Sequence, residues 1–264
     1  MKKLLSILLV LTMAIALAAC GAQKASTNAG DNDLSYVKAN GKLIIGYTDY
    51  APMNYTDENG EFTGFDTELA IIVCEKLGLK PEFVEINWET KEVELNAKSI
   101  DCIWNGMTID EDRKANMEVT KPYVKNAQVV LVKEGTAYES TASLIGKAVV
   151  AEQGSAGEKV VKNDDNLKQA NYVPKTKQTD CLMEVKAGTA DAAVLDLTLA
   201  KTMTGKGTNY EDIKIVDHLA EENYGVGFRK GSDICAEVNK IFDELVADGT
   251  MSKLAEKYGL ELAD

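Results

Sequence analysis

The stretch Asn105-Gly106-Met107-Thr108-Ile109-Asp110-Glu111-Asp112-Arg113 decides how this chain is read. It follows an apolar run, residues 100–104, and leads into a segment of helical character from about Asp110. A strand that ends in a small-residue loop, then a helix with an early arginine, offers a small anion two kinds of donor. These are backbone N–H groups and one guanidinium fork. The anion expected here is the carboxylate of a free amino acid, with the rest of the chain closing the grip.

Working outward, the pattern on both sides alternates strand and helix. Residues 42–47 read as a strand followed by the loop Thr48-Asp49-Tyr50-Ala51-Pro52-Met53. Residues 54–62 carry the turn signal Asp57-Glu58-Asn59-Gly60 and predict a short hairpin. Asp66 is the expected cap of the next helix. Its buried face is Leu69, Ile72, Val73, a snorkelling Lys76 and Leu77, with Gly78 as its stop. A strand is predicted over 80–86, a helix over 90–97 and a strand over 100–104.

A second series opens with the apolar run 127–132. It continues with a strand over 147–151 and the turn Gln153-Gly154-Ser155-Ala156. Ser155 and Glu158 form a capping-box pattern before a helix over 156–162. A helix over 179–186 stopped by Gly188 and a strand over 190–195 running into Asp196 follow. A further strand is predicted over 224–228. Ser232 or Asp233 then opens a helix that buries Ile234, Val238, Ile241, Phe242 and Leu245, and a last helix spans 251–258. This alternation defines an α/β fold with a largely parallel sheet, in which ligands sit at the carboxyl ends of strands.

Of the 264 residues, 45% are hydrophobic and 27% charged, in the range of a soluble globular protein. The net charge of -13 opposes nucleic-acid binding, which needs a basic face. Lys2 and Lys3 precede an apolar run over 4–17, too short for a comfortable membrane span and shaped as an export signal. It ends in Leu17-Ala18-Ala19-Cys20-Gly21, which resembles the bacterial lipobox, with Cys20 as the acylated first residue of the mature chain. The polar residues 21–33 read as a flexible tether. Cys74, Cys102, Cys181 and Cys235 each lie in an apolar segment, which favours buried thiols over bridges, although spacing selects none of the three possible pairings. No cofactor is expected, and no cysteine or histidine cluster suggests a metal.

Taken together, the motifs resemble the extracytoplasmic amino-acid-binding proteins of ABC importers, the bacterial solute-binding family 3 of polar amino acid type. The residues that carry the likeness are Thr48-Asp49-Tyr50-Ala51-Pro52, Gly64-Phe65-Asp66-Thr67-Glu68-Leu69, and Leu95-Asn96-Ala97-Lys98-Ser99-Ile100-Asp101. They continue with Gly106-Met107-Thr108-Ile109 and Arg113, Lys121-Pro122-Tyr123, Gln153-Gly154-Ser155, and Asp191-Ala192-Ala193-Val194-Leu195-Asp196.

The resemblance implies a two-lobed, periplasmic-binding-protein-like (type II) fold with a two-strand hinge. After a signal peptide (1–19) and a lipidated tether (20–35), lobe one would be 36–127 plus 225–264 and lobe two 128–224. It also implies that Arg113 forks onto the ligand carboxylate, with Thr108 offering its N–H and hydroxyl and Gly106 its carbonyl. Asp196 would pair with the ammonium, while Ser155 and Ala156 donate backbone N–H groups from a helix start. Tyr50 and Trp88 would sandwich the ligand side chain, and Asn105 and Asp49 would read it. Trp104 is left to the core.

The implied partners are a free L-amino acid (polar, basic or cystine-like), the permease subunits, and the membrane through the lipid anchor. The chain would be a monomer held at the outer face of the cell membrane, or periplasmic where the envelope has two membranes. Two departures touch specificity: the loop 48–52 lacks the usual extra residues before its tyrosine, and Met53 stands where the family commonly has Phe. The alternatives are an enzyme resembling cyclohexadienyl dehydratase and a ligand-sensing receptor. The only histidine, His218, lies in an acidic segment away from the pocket motifs and gives the enzyme reading no obvious proton-transfer group.

Overall fold

The computed structural model describes residues 32–264; the expected signal peptide and Cys20 lie outside them. The chain begins with α1 (Asp33–Asn40), β1 (Lys42–Tyr47), a hairpin of β2 (Tyr55–Thr56) and β3 (Phe62–Thr63), and α2 (Phe65–Leu77). It continues through β4 (Lys80–Glu85), α3 (Lys91–Asn96), β5 (Cys102–Thr108), α4 (Glu111–Asn116) and β6 (Met117–Val119). Next come β7 (Val124–Lys133), β8 (Ala148–Glu152), α5 (Ala156–Asn163), β9 (Asn171–Lys175), α6 (Gln178–Ala187), β10 (Ala192–Asp196) and α7 (Leu197–Met203). The long return strand β11 (Ile213–Arg229) leads into α8 (Ile234–Ala247) and α9 (Thr250–Tyr258). No described helix is long and apolar enough to cross a membrane.

One sheet runs through the molecule in the order β4-β1-β5-β11-β7-β10-β8-β9, with β6 also on β11. β1 is parallel to β4 and β5, and β8 is parallel to β9 and β10. Between these groups β7 and β11 form an antiparallel ladder from Ile213↔Lys133 to Tyr224↔Val124. Parallel strands need crossovers, and the helices supply them. Leu69 and Val73 of α2 and Ile234, Val238 and Phe242 of α8 share a core with Trp104. In the other half Val130, Val149 and Val161 pack together on one face of the sheet. Each such buried aliphatic side chain contributes roughly 1.5–3 kcal/mol.

Five expectations change. β5 does not end at residue 104 but continues through Gly106 to Thr108, because Tyr224 and Gly225 of β11 pair with Thr108 and Met107. β11 starts at Ile213, eleven residues before the predicted strand. α1 begins within the segment read as tether: Asp33 is buried and pairs with the Arg229 guanidinium at 2.7 Å. Arg229, itself buried, also bonds Asp101 and the carbonyls of Leu95 and Ile100, so this end of the sheet is tied together by one cation. Asp66 is no helix cap; it sits inside α2, fully buried. Lys76 points to Glu244 at 2.9 Å instead of lying along the core. All four described cysteines are buried and unpaired with one another.

Candidate ligand-binding site

Arg113 is set by its own short helix. Asp110 caps α4 by accepting the Arg113 backbone N–H at 2.8 Å. The guanidinium folds back so that one nitrogen donates to the Thr108 carbonyl at 2.5 Å. The side chain is buried and forms part of the wall of a cavity of about 10 Å³, room for about one water.

Tyr50, Trp88, Asn105, Gly106, Thr108, Ser155, Ala156 and Asp196 line the same cavity, so residues far apart in the sequence are brought together. Glu152 and Gln178, which the sequence reading did not single out, line it too. Asp49 is exposed and stands outside this lining.

Gly106 is where β5 bends. Its φ of 55° favours glycine, and a Cβ there would stand 2.7 Å from Tyr50 Cε1. Its N–H donates to Asp66 Oδ2 at 2.6 Å, and the Tyr123 hydroxyl donates to the same oxygen at 3.0 Å. Burial pushes the Asp66 carboxyl up to about 7, against the pull of these hydrogen bonds. The Gly106 N–H is therefore held within the protein and is no free anion donor.

Asn105 is similarly occupied. Its amide oxygen accepts from the Thr48 N–H and hydroxyl, and its nitrogen donates to the Thr48 carbonyl and Asn54 Oδ1. Four bonds fill the amide, so Asn105 shapes the Thr48 loop and offers the cavity only its surface.

The two halves meet closely. Gly154 has φ 74°, and a Cβ there would lie 2.9 Å from Glu89 Cα. Lys91 Nζ donates to the Trp88 carbonyl at 3.0 Å and the Gly154 carbonyl at 2.9 Å, and lies 4.9 Å from the Trp88 ring centroid. Burial first, then the Arg113 cation, lower Lys91 to about 8. The Tyr50 hydroxyl bonds Thr198 Oγ1 and the Tyr224 hydroxyl, each at 2.5 Å, linking β1's loop to α7 and β11.

At the start of α5, Ser155 accepts the Glu158 N–H at 3.1 Å as expected. The return arm of the capping box is displaced by one residue: Glu158 accepts from Gly154 N–H, while Ser155 N–H donates to the Glu152 carbonyl at 3.2 Å. Ala156, the first helical residue, keeps an N–H with no partner inside its helix.

Asp196 stands at the N-cap position of α7 without capping it. Its carboxylate accepts from Asn126 at 2.8 Å, from Gln128 at 2.5 Å and from Gln178. Glu222 accepts from the same Asn126 and Gln128 amides, at 2.6 and 2.9 Å, and from the Thr108 hydroxyl at 2.9 Å. Burial and the neighbouring Asp196 push Glu222 up to about 8.

Of the residues missed, Glu152 had a readable signal, a charge that closes an apolar strand just before the Gly154 turn. Glu222 had none, lying in a run of charges. A larger open cleft of about 1070 Å³, which holds the exposed His218, lies among α7, β11 and residues 258–264 and shares no lining residue with the small cavity. Among the described residues no cluster of three or more His, Cys, Asp or Glu is placed to hold a metal.

Two parallel half-sheets joined by two crossing strands, with polar groups of both halves around one cavity, define a two-lobed binding protein of the type II periplasmic class. The profile of bacterial extracellular solute-binding proteins, family 3, matches residues 43–261, and the chain belongs to that family. It is 27% identical to the arginine-binding extracellular protein ArtP of Bacillus subtilis, over 98% of each chain. It is 33% identical to the histidine-binding periplasmic protein of Salmonella typhimurium, over 82% of this chain and 87% of that one. A mutant of ArgBP from T. maritima superposes with a TM-score of 0.79 at 32% identity, over 85% of this chain and 98% of that one. The family is one of binding proteins, not enzymes, and is extracytoplasmic.

Proposed function

We propose that this protein is the substrate-binding component of an amino acid ABC importer, capturing a free amino acid between its lobes and delivering it to a membrane permease. The observation that carries this reading is the placement of a buried guanidinium, Arg113, and a buried carboxylate, Asp196, on the wall of one cavity. They come from different half-sheets. A zwitterion has one charge for each, and charge-assisted bonds of this kind are the strong ones. Arg113 takes the carboxylate with the Thr108 and Ala156 N–H groups in support, and Asp196 takes the ammonium. Tyr50 and Trp88 enclose the side chain.

At about 10 Å³ the cavity is too small for any amino acid, so entry needs the walls to part. The lobes, 36–127 plus 225–264 against 128–224, move on the β7–β11 ladder. Ligand that touches both lobes only when they close shifts the population toward closure. Acylation at Cys20 and a tether hold the monomer beside its permease.

A thermal-shift screen with free amino acids, their α-carboxamides and their decarboxylated amines tests the reading. The true ligand at 100 times its Kd adds about 2.7 kcal/mol of stability. Its carboxamide and its amine are expected to add far less; equal stabilisation by all three would overturn the proposal.

A further inference from the structure

Asp196 and Glu222 are surrounded by amide donors, but Glu152 is not. Its Oε1 has no hydrogen-bond partner among the described residues, although the residue is only 3% exposed. Buried polar atoms are almost always paired, and a buried carboxylate without a donor is costly, so such an atom on a cavity wall asks for an explanation. The two nearby cations do not supply one. Lys91 donates to the carbonyls of Trp88 and Gly154 and Arg113 to the Thr108 carbonyl, and neither bonds Glu152.

Glu152 is the last residue of β8, the parallel neighbour of β10, which ends in Asp196. The two acids therefore lie at adjacent strand ends on one cavity. Burial and the Asp196 charge hold the Glu152 carboxyl well above its ordinary range, while Lys91 and Arg113 pull it down. Once Arg113 has the ligand carboxylate and Asp196 the ammonium, Glu152 is the acidic group left over. What it lacks is a donor, and a positive one best offsets two adjacent acids.

We propose that Glu152 reads the side chain of the bound amino acid and selects one that ends in a hydrogen-bond-donating cation. This rests on the amino-acid-binding reading above. The family likeness does not specify it, since the motifs report the amino acid backbone that all candidate ligands share.

Calorimetry on the mature chain and on Glu152→Gln and Arg113→Ala variants tests it, with L-arginine, L-lysine, L-citrulline and L-glutamate as probes. Citrulline keeps the length of arginine and loses its charge. The native protein is expected to bind arginine or lysine at least about tenfold tighter than citrulline. Glu152→Gln is expected to weaken the cationic ligand by about thirtyfold or more and to change citrulline by less than about threefold. An equal loss for both ligands would place Glu152 on the shared ammonium and overturn the proposal, as would tighter binding of citrulline or glutamate by the native chain. Arg113→Ala separates the two readings. If it abolishes binding while Glu152→Gln does not discriminate, only this inference falls; if it leaves binding intact, the carboxylate grip falls with it. Melting of Glu152→Gln at or above the native temperature confirms that it folds.

Discussion

In the stretch 105–113 the backbone stays in a strand to Thr108, and its groups are fixed mainly from within their own half of the molecule. Asp66 holds Gly106, Thr48 and Asn54 hold Asn105, and Asp110 sets the helix that carries Arg113. In the stretch 152–158 the backbone does turn, and much of what surrounds it comes from the other half. Lys91 bonds the Gly154 carbonyl, the Glu89 backbone packs against Gly154, and Gln153 donates to Glu89 Oε1 at 2.6 Å. The sequences look like two copies of one anion-binding device. On the proposed function, the first acts as a preorganised receptor and the second is completed by closure. Damage to the first is expected to remove binding chemistry, and damage to the second to weaken closure.

The sharpest test of that contrast is Arg113→Ala. It leaves a ligand carboxylate buried without its cation, and is expected to cost about 2–5 kcal/mol of binding, tenfold for each 1.4 kcal/mol. Calorimetry against the ligand found by the screen checks it; a change under about threefold would mean that the grip lies elsewhere.

Asp66→Ala tests whether the first stretch is rigid from within. One oxygen takes both the Gly106 N–H and the Tyr123 hydroxyl, so losing it is expected to cost about 1–3 kcal/mol of stability at acid pH. The pH dependence carries a sign. Asp66 is raised to about 7 and Glu222 to about 8, so the folded protein holds protons that the unfolded chain has lost. Their stabilising contribution is complete below about pH 4 and is lost as pH rises through about 7 and 8. Lys91, lowered to about 8, acts in the opposite direction and only above that pH. Melting temperatures are expected to fall between pH 5 and 8, and Asp66→Ala to flatten the lower part of that decline. An unchanged slope would break the assignment.

Gly154→Ala probes the second stretch. The new Cβ would meet Glu89 Cα at 2.9 Å on a backbone with φ 74°, which costs about 1–2 kcal/mol in the closed form. The expected result is a weaker affinity with the ligand preference kept, since the groups that read the ligand stay in place. A changed preference without a change in affinity would mean that Gly154 acts on the ligand and not on closure.

These differences mark what was legible in the sequence. Periodicity located α2, α8 and the core strands because their apolar faces are continuous. Spacing put Thr108 and Arg113 near each other, and both line the small cavity, since the step between them holds one cap and the start of a short helix. Gly106 misled, because a glycine signals a loop, whereas here the strand bends at it and continues, held by Asp66 and by the pairing of Met107 and Thr108 with β11. The first part of β11 escaped notice because Lys214, Asp217, His218 and Glu221 break its apolar residues into no regular alternation. That segment pairs with β7 but not with β5, and after Ile213 its residues are half-buried or exposed, which demands no strict apolar pattern. Glu152 escaped because the default for a charge after a strand is solvent. Only the folded chain brings Asp196, Gln178 and Trp88 over it.

The smallest effect is expected where the two stretches touch directly. Lys159 of α5 reaches Asp112 and, at 3.4 Å, Asp110, so an ion pair crosses from one device to the other at the rim of the cleft. The Lys159 and Asp112 side chains are largely exposed. Water and salt screen them, and holding two long side chains still has an entropic cost. Such a pair contributes about 0.2–1 kcal/mol, and only in the closed form. Lys159→Ala is therefore expected to weaken binding by no more than about fivefold at low salt, with the difference fading as ionic strength approaches about 1 M. Titrations of native and variant protein across salt concentrations measure it. A large loss that persists at high salt would show that closure is held from the rim, and would reverse the ranking of the two stretches.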